Sequence, residues 1–275
     1  MVMAKEKEKL TALIVGVSSD IGLALAKYWE SSGVEVIGSY RTMSDALLLS
    51  KKLFKKLFHC DFADKKSIDS FVHEVAAQGI EWDVLVICPG TMNPIGPFTN
   101  CNIDEWELGI FINLLSPLRI LHGLLGTRRK SNKLLPLVIF FAGGGVNSAP
   151  INYSSYTTSK IALIKATELL DAEFKDVRFS IIGPGWVKTK IHKETIIASE
   201  RAKTSADETQ RRLEQGDFNS MVKVIECVDW LLDTPKKIIG GRNFSVTNDK
   251  WGDSNLELSL QADPNKYKLR RFGND

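Results

Sequence analysis

Short apolar runs and helix-like segments alternate along this chain, and this alternation restricts its fold more than any other feature of the sequence. Buried parallel strands are short and almost wholly apolar, whereas helices repeat apolar residues at intervals of three and four. Strands that alternate with helices form a parallel sheet whose right-handed crossovers place helices on both faces. We therefore predict an α/β, Rossmann-like doubly wound fold of three layers (α/β/α) with a seven-stranded parallel sheet. The predicted strands are residues 11–16, 34–38, 56–61, 82–88, 135–141, 177–182 and 243–247.

The helix-like segments carry apolar residues at helical spacing, and two of them end at a glycine, Gly33 and Gly79. Neither a linker nor an internal repeat interrupts the pattern. This predicts a single domain over residues 1–275, with a flexible tail at 1–9 and a C-terminal extension at 250–275. The predicted helices are residues 21–32, 44–52, 67–78, 103–125, 155–174 and 219–233, and a polar, mostly helical stretch covers 188–216.

The composition is that of a soluble protein long enough to bury a full core, with 275 residues and a net charge of only +3. Such a small charge gives no indication of nucleic-acid binding. The four cysteines have no metal-binding spacing, so we expect reduced thiols, a cytoplasmic location and no metal site. No apolar run approaches membrane-spanning length and the charged start does not resemble a signal peptide, so we expect no membrane association.

A turn with two glycines, Gly16 and Gly22, follows the first predicted strand and opens the first predicted helix. Glycine lets the backbone turn tightly and approach a phosphate, while the start of a helix offers unpaired N–H groups and a positive dipole end. An ordinary glycine-containing turn would have the same composition. The position directly after the first strand favours a dinucleotide-binding turn.

Tyr156 and Lys160 are four residues apart at the start of the predicted helix 155–174 and therefore leave the same helix face. An ammonium group beside a phenol lowers the pKa of the phenol, which can then act as an acid or base near neutral pH. The pattern YxxxK is common, and an exposed pair on a solvated helix face would have the same spacing. The remaining motifs decide between these interpretations.

Taken in order, the motifs resemble those of the short-chain dehydrogenase/reductase family over about residues 10–250. The nucleotide turn of that family, TGxxxGxG, corresponds to residues 15–22, with Val15 for the threonine and Asp20 for the middle glycine, where Asp suits the N-cap of a helix. The further matches are Cys60-Asp61-Phe62, Gly90 in the segment 87–90 where the family has NNAG, Asn113, the pair Tyr156 and Lys160, and the turn Pro184-Gly185-Trp186-Val187-Lys188-Thr189.

The resemblance implies hydride transfer between a nicotinamide cofactor and a carbonyl or alcohol substrate. Tyr156 would protonate the carbonyl oxygen, Lys160 would keep the tyrosine pKa low and hold the nicotinamide ribose, and Asn113 would support a proton-relay water. Asn113 is otherwise interpreted as a satisfied core amide or a local helix kink. The expected cofactor-binding residues are Gly16, Ser18, Ser19, Asp20, Ile21, Gly22, Arg41, Asp61, Phe62, Cys88, Pro89, Gly90, Tyr156, Lys160, Pro184, Gly185, Val187 and Thr189.

The end of the second predicted strand favours NADP (NADPH) over NAD. Selectivity for NAD usually rests on a carboxylate at this point, which binds the ribose 2′-hydroxyl. The chain has Arg41 there and no carboxylate, and arginine suits a 2′-phosphate through charge-assisted, bidentate hydrogen bonds. The alternative is that Arg41 is a solvated loop residue.

The clearest departure from the family is a missing catalytic serine, which should lie about thirteen residues before Tyr156. Gly143 occupies that position and Ala142 precedes it. The run Ala142-Gly-Gly-Gly145 resembles a branch of the family with a Ser-Gly-Gly-Gly turn. Backbone N–H groups of this turn, Asn147 or Ser148 are possible substitutes, and we expect that a serine at Gly143 or Ala142 would raise turnover if no substitute exists.

The resemblance also places a substrate lid at residues 188–216, whose polar composition suits a polar or anionic substrate or merely a solvated helix pair. Helices that are apolar on several sides, from Ile103 and from Ser155, predict a homodimer or homotetramer. The main functional hypothesis is an NADP-dependent oxidoreductase acting on a small carbonyl or alcohol. The alternative is a non-catalytic dinucleotide-binding sensor or assembly subunit, with an epimerase or dehydratase as a further option.

Overall fold

A computed structural model describes residues 10–130 and 134–271, and it contains the predicted doubly wound fold. Seven parallel strands form one sheet in the order β3-β2-β1-β4-β5-β6-β7. The order reverses between β1 and β4, and ligands of open α/β sheets bind at the carboxyl ends of strands beside such a reversal. The strands are β1 Thr11–Val15, β2 Glu35–Tyr40, β3 Lys56–His59, β4 Val84–Ile87, β5 Leu137–Phe141, β6 Arg178–Gly183 and β7 Arg242–Ser245.

The helices cover both faces of this sheet, and each face has its own core cluster of buried apolar side chains. Short polar side chains begin several helices by accepting a backbone N–H bond, as Ser19, Ser44, Asp64 and Asn102 do. The helices are α1 Asp20–Ser31, α2 Asp45–Leu49, α3 Lys65–Ala77, α4 Ile103–Ile110, α5 Ser116–Leu124, α6 Ser154–Glu173, α7 His192–Ile197, α8 Ser199–Ala202, α9 Thr204–Gln215, α10 Met221–Asp233, α11 Lys236–Ile239 and α12 Ser254–Ala262. The predicted tail at 1–9 lies outside the described residues.

The predicted helix 103–125 is present as one helical run, but a π-helical turn at Phe111–Leu115 separates α4 from α5 within it. Single π-turns inside helices are uncommon and often lie at functional sites. By length and mean hydropathy (1.6), the helical run Ile103–Thr127 could also cross a membrane, which the sequence analysis did not expect. In this fold α4 packs against α6 and α5 against α3, and core helices of soluble proteins pass the same length and hydropathy test.

Candidate active site

A cavity of about 1640 Å³ lies at the carboxyl ends of the strands, between the first strand-to-helix turn and the segment 186–209. Two of the residues expected at the site, Gly22 and Asn113, are not in its wall. The expected residues that line it are Gly16, Ser18, Ser19, Asp20, Ile21, Arg41, Asp61, Phe62, Cys88, Pro89, Gly90, Tyr156, Lys160, Pro184, Gly185, Val187 and Thr189.

Both glycines of the first turn are required by close packing. Gly16 has a φ of +92°, and a Cβ there would lie 2.8 Å from the Pro89 ring. A Cβ on Gly22 would lie 2.6 Å from the Gly16 carbonyl oxygen. In the described chain, the backbone N–H groups of Ser18, Asp20 and Ile21 donate no hydrogen bond, so the turn presents three unpaired donors beside the cavity. Such a set of donors at a helix start fits a phosphate.

Asp20 does not cap helix α1, contrary to expectation. Ser19 is the N-cap and accepts a 3.0 Å hydrogen bond from the Gly22 N–H. The Asp20 carboxylate instead accepts a 2.6 Å hydrogen bond from the backbone N–H of Lys190. The residue that replaces a family glycine therefore joins the nucleotide turn to the segment after β6.

Arg41 follows directly after β2, where its exposed side chain lines the cavity. The residues beside it at this end of the cavity are Asp61 and Phe62, which follow β3. The Asp61 carboxylate accepts a 2.9 Å hydrogen bond from the Ala63 N–H. Arg41 forms no ion pair within the described residues, so its guanidinium is available to a ligand.

Asn113 is fully buried in the π-turn and is held by both backbone groups of one residue, Thr91. Its Oδ1 accepts from the Thr91 N–H at 2.9 Å, and its Nδ2 donates to the Thr91 carbonyl at 2.8 Å. A Cβ on Gly90 would lie 3.3 Å from Asn113 Oδ1 and 3.6 Å from Lys160 Nζ. Asn113 is thus a satisfied core amide, as the alternative interpretation had it, and it also fixes the loop beside Lys160.

Tyr156 and Lys160 share one face of α6, but their ionisation differs from the expectation. Lys160 Nζ donates a 2.9 Å hydrogen bond to the Phe141 carbonyl and lies 5.9 Å from the centre of the Tyr156 ring. Burial, followed by the negative charge of Glu194, raises the pKa of Tyr156 to about 12, and burial lowers the pKa of Lys160 to about 8. The predicted lowering of the tyrosine pKa is therefore wrong for this structure, because burial and the Glu194 charge both disfavour the tyrosinate. The phenol is protonated at neutral pH.

The glycine turn after β5 lies directly against the Tyr156 phenol. A Cβ on Gly143 would lie 2.6 Å from the Tyr156 hydroxyl oxygen, so a larger residue there would require the phenol or the turn to shift. Ala142 is buried in the core. Within the described residues, the N–H groups of Gly143, Gly144 and Gly145 donate no hydrogen bond. The expected gain from Gly143→Ser conflicts with this packing.

The segment after β6 closes one side of the cavity and contains residues that no sequence motif indicated. The Glu194 carboxylate accepts hydrogen bonds from the Thr91 hydroxyl at 3.0 Å and the Met92 N–H at 2.6 Å. Trp186 and His192 stack with ring centres 3.7 Å apart, and His192 contacts the Val187 carbonyl at 2.9 Å. The Glu194 contacts join segments that are far apart in sequence, so neither composition nor spacing could have revealed them. No group of three or more metal-ligating side chains occurs in the part of the chain that is described.

Comparisons with known proteins give the family to which this sequence is similar. The family model described as enoyl-(acyl carrier protein) reductase matches residues 16–248. A short-chain dehydrogenase/reductase of Penicillium canescens is 30% identical over 189 residues, which is 67% of this chain and 71% of that protein. The NADPH-dependent 3-dehydrocapnine reductase of Ornithobacterium rhinotracheale is 28% identical over 193 residues, 66% of each chain.

A solved short-chain dehydrogenase/reductase from Saccharomyces cerevisiae has the same fold, with a TM-score of 0.76 and 20% identity over 90% of this chain and 98% of that one. The sequence matches and the shared fold therefore indicate the same family. This chain belongs to the short-chain dehydrogenase/reductase family, the oxidoreductases that use a nicotinamide cofactor to act on alcohol or carbonyl groups.

Proposed function

We propose that this protein is an NADP-dependent oxidoreductase that interconverts a small carbonyl compound and its alcohol at a site without the usual serine. The observation that supports this most strongly is the position of Tyr156 and Lys160 in the wall of the cavity that also contains the nucleotide turn. The unpaired N–H groups of that turn fit a pyrophosphate. The bound nicotinamide would supply or accept the hydride.

The residues of the chain supply the proton and the positioning. With a pKa of about 12, the Tyr156 phenol holds its proton at neutral pH and can give it to a carbonyl oxygen that receives the hydride. The resulting tyrosinate is re-protonated from solvent, which balances the reaction. Lys160, fixed by the Phe141 carbonyl, provides positive charge beside the phenol. Asn113 positions Thr91 and thereby the loop next to Lys160.

The proposal of NADP rests on Arg41. It lies directly after β2, lines the cavity and has no ion-pair partner in the described chain, whereas the carboxylate at this end of the cavity, Asp61, follows the neighbouring strand β3. A guanidinium in this place favours a ligand with a 2′-phosphate. One relative is named as NADPH-dependent, which agrees with this choice.

The direct test is turnover by the purified protein with NADPH and with NADH on a panel of aliphatic, aromatic and hydroxylated ketones and aldehydes, followed by cofactor absorbance. We expect NADPH-dependent reduction of at least one compound and a lower rate with NADH. Turnover that requires NADH would contradict the cofactor proposal. Tight NADPH binding without turnover on any compound would contradict the enzymatic one.

A second candidate function is supported by one observation, the glycine at position 143. Without a side-chain hydroxyl opposite Tyr156, a developing alkoxide has one donor fewer, which typically costs about 10²–10³ in rate. A protein that binds NADP and acts as a sensor or assembly subunit would tolerate this loss. Binding without turnover in the panel experiment would favour this function.

We also propose a cytoplasmic homodimer or homotetramer, with residues 188–216 as the substrate lid. Large apolar side chains on α4, the π-turn and the loop before α4 are exposed, including Phe98, Ile103, Leu108 and Leu115. Exposed apolar patches of this kind need cover from a partner. Light scattering at micromolar concentration should give a multiple of the chain mass, and a monomer would contradict the proposal.

A further inference from the structure

One carboxylate in the cavity wall is held by hydrogen bonds to only one of its two oxygens. Glu194 on α7 is half-buried and lines the cavity. Both of its described hydrogen bonds, from the Thr91 hydroxyl and the Met92 N–H, go to the same oxygen, Oε2. The other oxygen, Oε1, accepts none from any described residue. A carboxylate can accept about four hydrogen bonds, so Glu194 presents an oriented acceptor to a ligand.

Glu194 also lies on the catalytic side of the cavity. The Thr91 backbone that it neighbours is held by Asn113, and the adjoining Gly90 approaches Lys160 Nζ. The negative charge of Glu194 contributes, after burial, to the raised pKa of Tyr156. If the carbonyl oxygen of a substrate bonds to Tyr156, the atoms next to that carbonyl can therefore interact with the Glu194 carboxylate.

Each cation that lines the cavity lies away from Glu194 or already has a partner in the protein. Lys190 lies by Asp20 at the nucleotide turn, with Nζ 3.9 Å from the carboxylate. Lys268 lies on the C-terminal segment, where its charge interacts with Arg242, Glu168, Asp171 and Arg270. Lys160 is bonded to the Phe141 carbonyl, and Arg41 lies at the far end, after β2.

The other carboxylate of residues 188–216 that lines the cavity, Glu208, is already neutralised. It accepts hydrogen bonds from Arg211 at 2.8 Å and from Arg212 at 2.7 Å. These arginines are consequently not available to bind an anionic substrate. The composition of residues 188–216 had left such a substrate open. Several further polar side chains of the cavity wall are uncharged and suit hydroxyl groups, among them Asn93, Asn147, Ser148, Thr204, Ser205 and Thr209.

We infer that Glu194 determines specificity by accepting a hydrogen bond from a hydroxyl group next to the reacting carbon, so that the substrate is a neutral hydroxy-carbonyl compound or the corresponding polyol. An anionic substrate is disfavoured, because its charge would face the Glu194 carboxylate, and the nearby Lys160 ammonium is already bonded to the Phe141 carbonyl. This inference rests on the proposed function, since it names the substrate class of the same site.

The test uses four ketones that differ in one group beside the same acetyl carbon, namely hydroxyacetone, butanone, pyruvate and aminoacetone. The values of kcat/KM with saturating NADPH are measured for the wild type, Glu194→Gln and Glu208→Gln. Glu208→Gln is the matched control, because it removes a cavity-lining carboxylate that arginines already neutralise. Hydrogen bonds to charged groups change discrimination by roughly tenfold to a hundredfold.

We expect the wild type to favour hydroxyacetone over butanone by about tenfold or more and to use pyruvate least. Glu194→Gln should lower the ratio of hydroxyacetone to butanone by about tenfold and raise activity on pyruvate, while Glu208→Gln leaves both ratios nearly unchanged. An equal loss on all four ketones in Glu194→Gln would mean that the residue only fastens the lid, and would overturn the inference.

Two other outcomes would also overturn it, in distinguishable ways. A wild-type preference for aminoacetone that Glu194→Gln removes would assign the carboxylate to an ammonium group instead of a hydroxyl. Turnover of butanone without a preference for hydroxyacetone would refute the specificity inference and leave the oxidoreductase proposal standing. Absence of turnover on this set and on the wider carbonyl panel would refute both.

Discussion

The molecule has two glycine turns at the carboxyl edge of its sheet, and the glycines serve different purposes in each. In the first turn, after β1, Gly16 and Gly22 allow the backbone to pack on itself, which leaves N–H groups directed to a ligand. In the second, after β5, Gly143 makes room for a side chain of the protein, the Tyr156 phenol. A glycine-rich turn therefore indicates close approach, but the sequence alone does not say what approaches.

Tyr156→Phe should have the largest effect, and it should affect catalysis at the second turn without affecting cofactor binding at the first. Deleting the proton donor should lower kcat by about 10²–10⁴ while the dissociation constant of NADPH, measured by fluorescence titration, stays nearly unchanged. Tyr153→Phe is a suitable control, because it removes a neighbouring tyrosine hydroxyl that bonds to Thr195 of α7. A wild-type rate in Tyr156→Phe would contradict a catalytic role for the tyrosine that packs against the second turn.

Gly143→Ser should lower activity, contrary to the expectation from the family pattern. The added Cβ would meet the Tyr156 hydroxyl oxygen at 2.6 Å, and misplacing a reacting group can cost up to about 10²-fold. At Gly144 an added Cβ meets no atom within 4 Å, so Gly144→Ser should leave kcat/KM nearly unchanged. If Gly143→Ser gains activity, the turn rearranges around serine and the packing argument fails.

A smaller effect should follow from Arg41→Ala, which acts only on the nucleotide side. Loss of a charge-assisted contact to a phosphate should raise the NADPH dissociation constant by about 10- to 100-fold. Binding of NADH should change little, since it lacks the 2′-phosphate, and this comparison within one variant is the control. An equal rise in the dissociation constants of NADPH and NADH would show that Arg41 does not bind the 2′-phosphate.

The smallest expected effect is the pH dependence of reduction. Tyr156 keeps its proton up to its pKa of about 12, whereas Lys160 loses its charge as the pH rises through about 8. The ammonium is present below that pH, so kcat should be level at neutral pH and fall by up to about tenfold between pH 7 and 9. Lys165→Met, one turn further along α6, should retain the profile. A rate that falls only near pH 12 would exclude a role for the Lys160 charge.

The sequence predicted the sheet well because buried strands must be apolar and because parallel strands need helical crossovers. Even the strand ends differ by only a few residues. For instance, β2 continues to Tyr40 because it pairs there with His59 of β3. The site was less predictable. The pKa of Tyr156, the π-turn at Asn113 and the contacts of Glu194 all depend on which segments pack together, and local spacing does not contain that information.

The π-turn at Phe111–Leu115 should limit the insertions and deletions that this helical run can tolerate. Each residue of an α-helix turns the chain by about 100°, and a π-turn shifts the phase of everything that follows it. α4 and α5 can therefore present their apolar residues to different neighbours, α6 and α3, although they form one helical run. Deleting a single residue here would shorten the chain very little but would rotate one helix relative to the other, so length variation in this run should be tolerated far less than substitution.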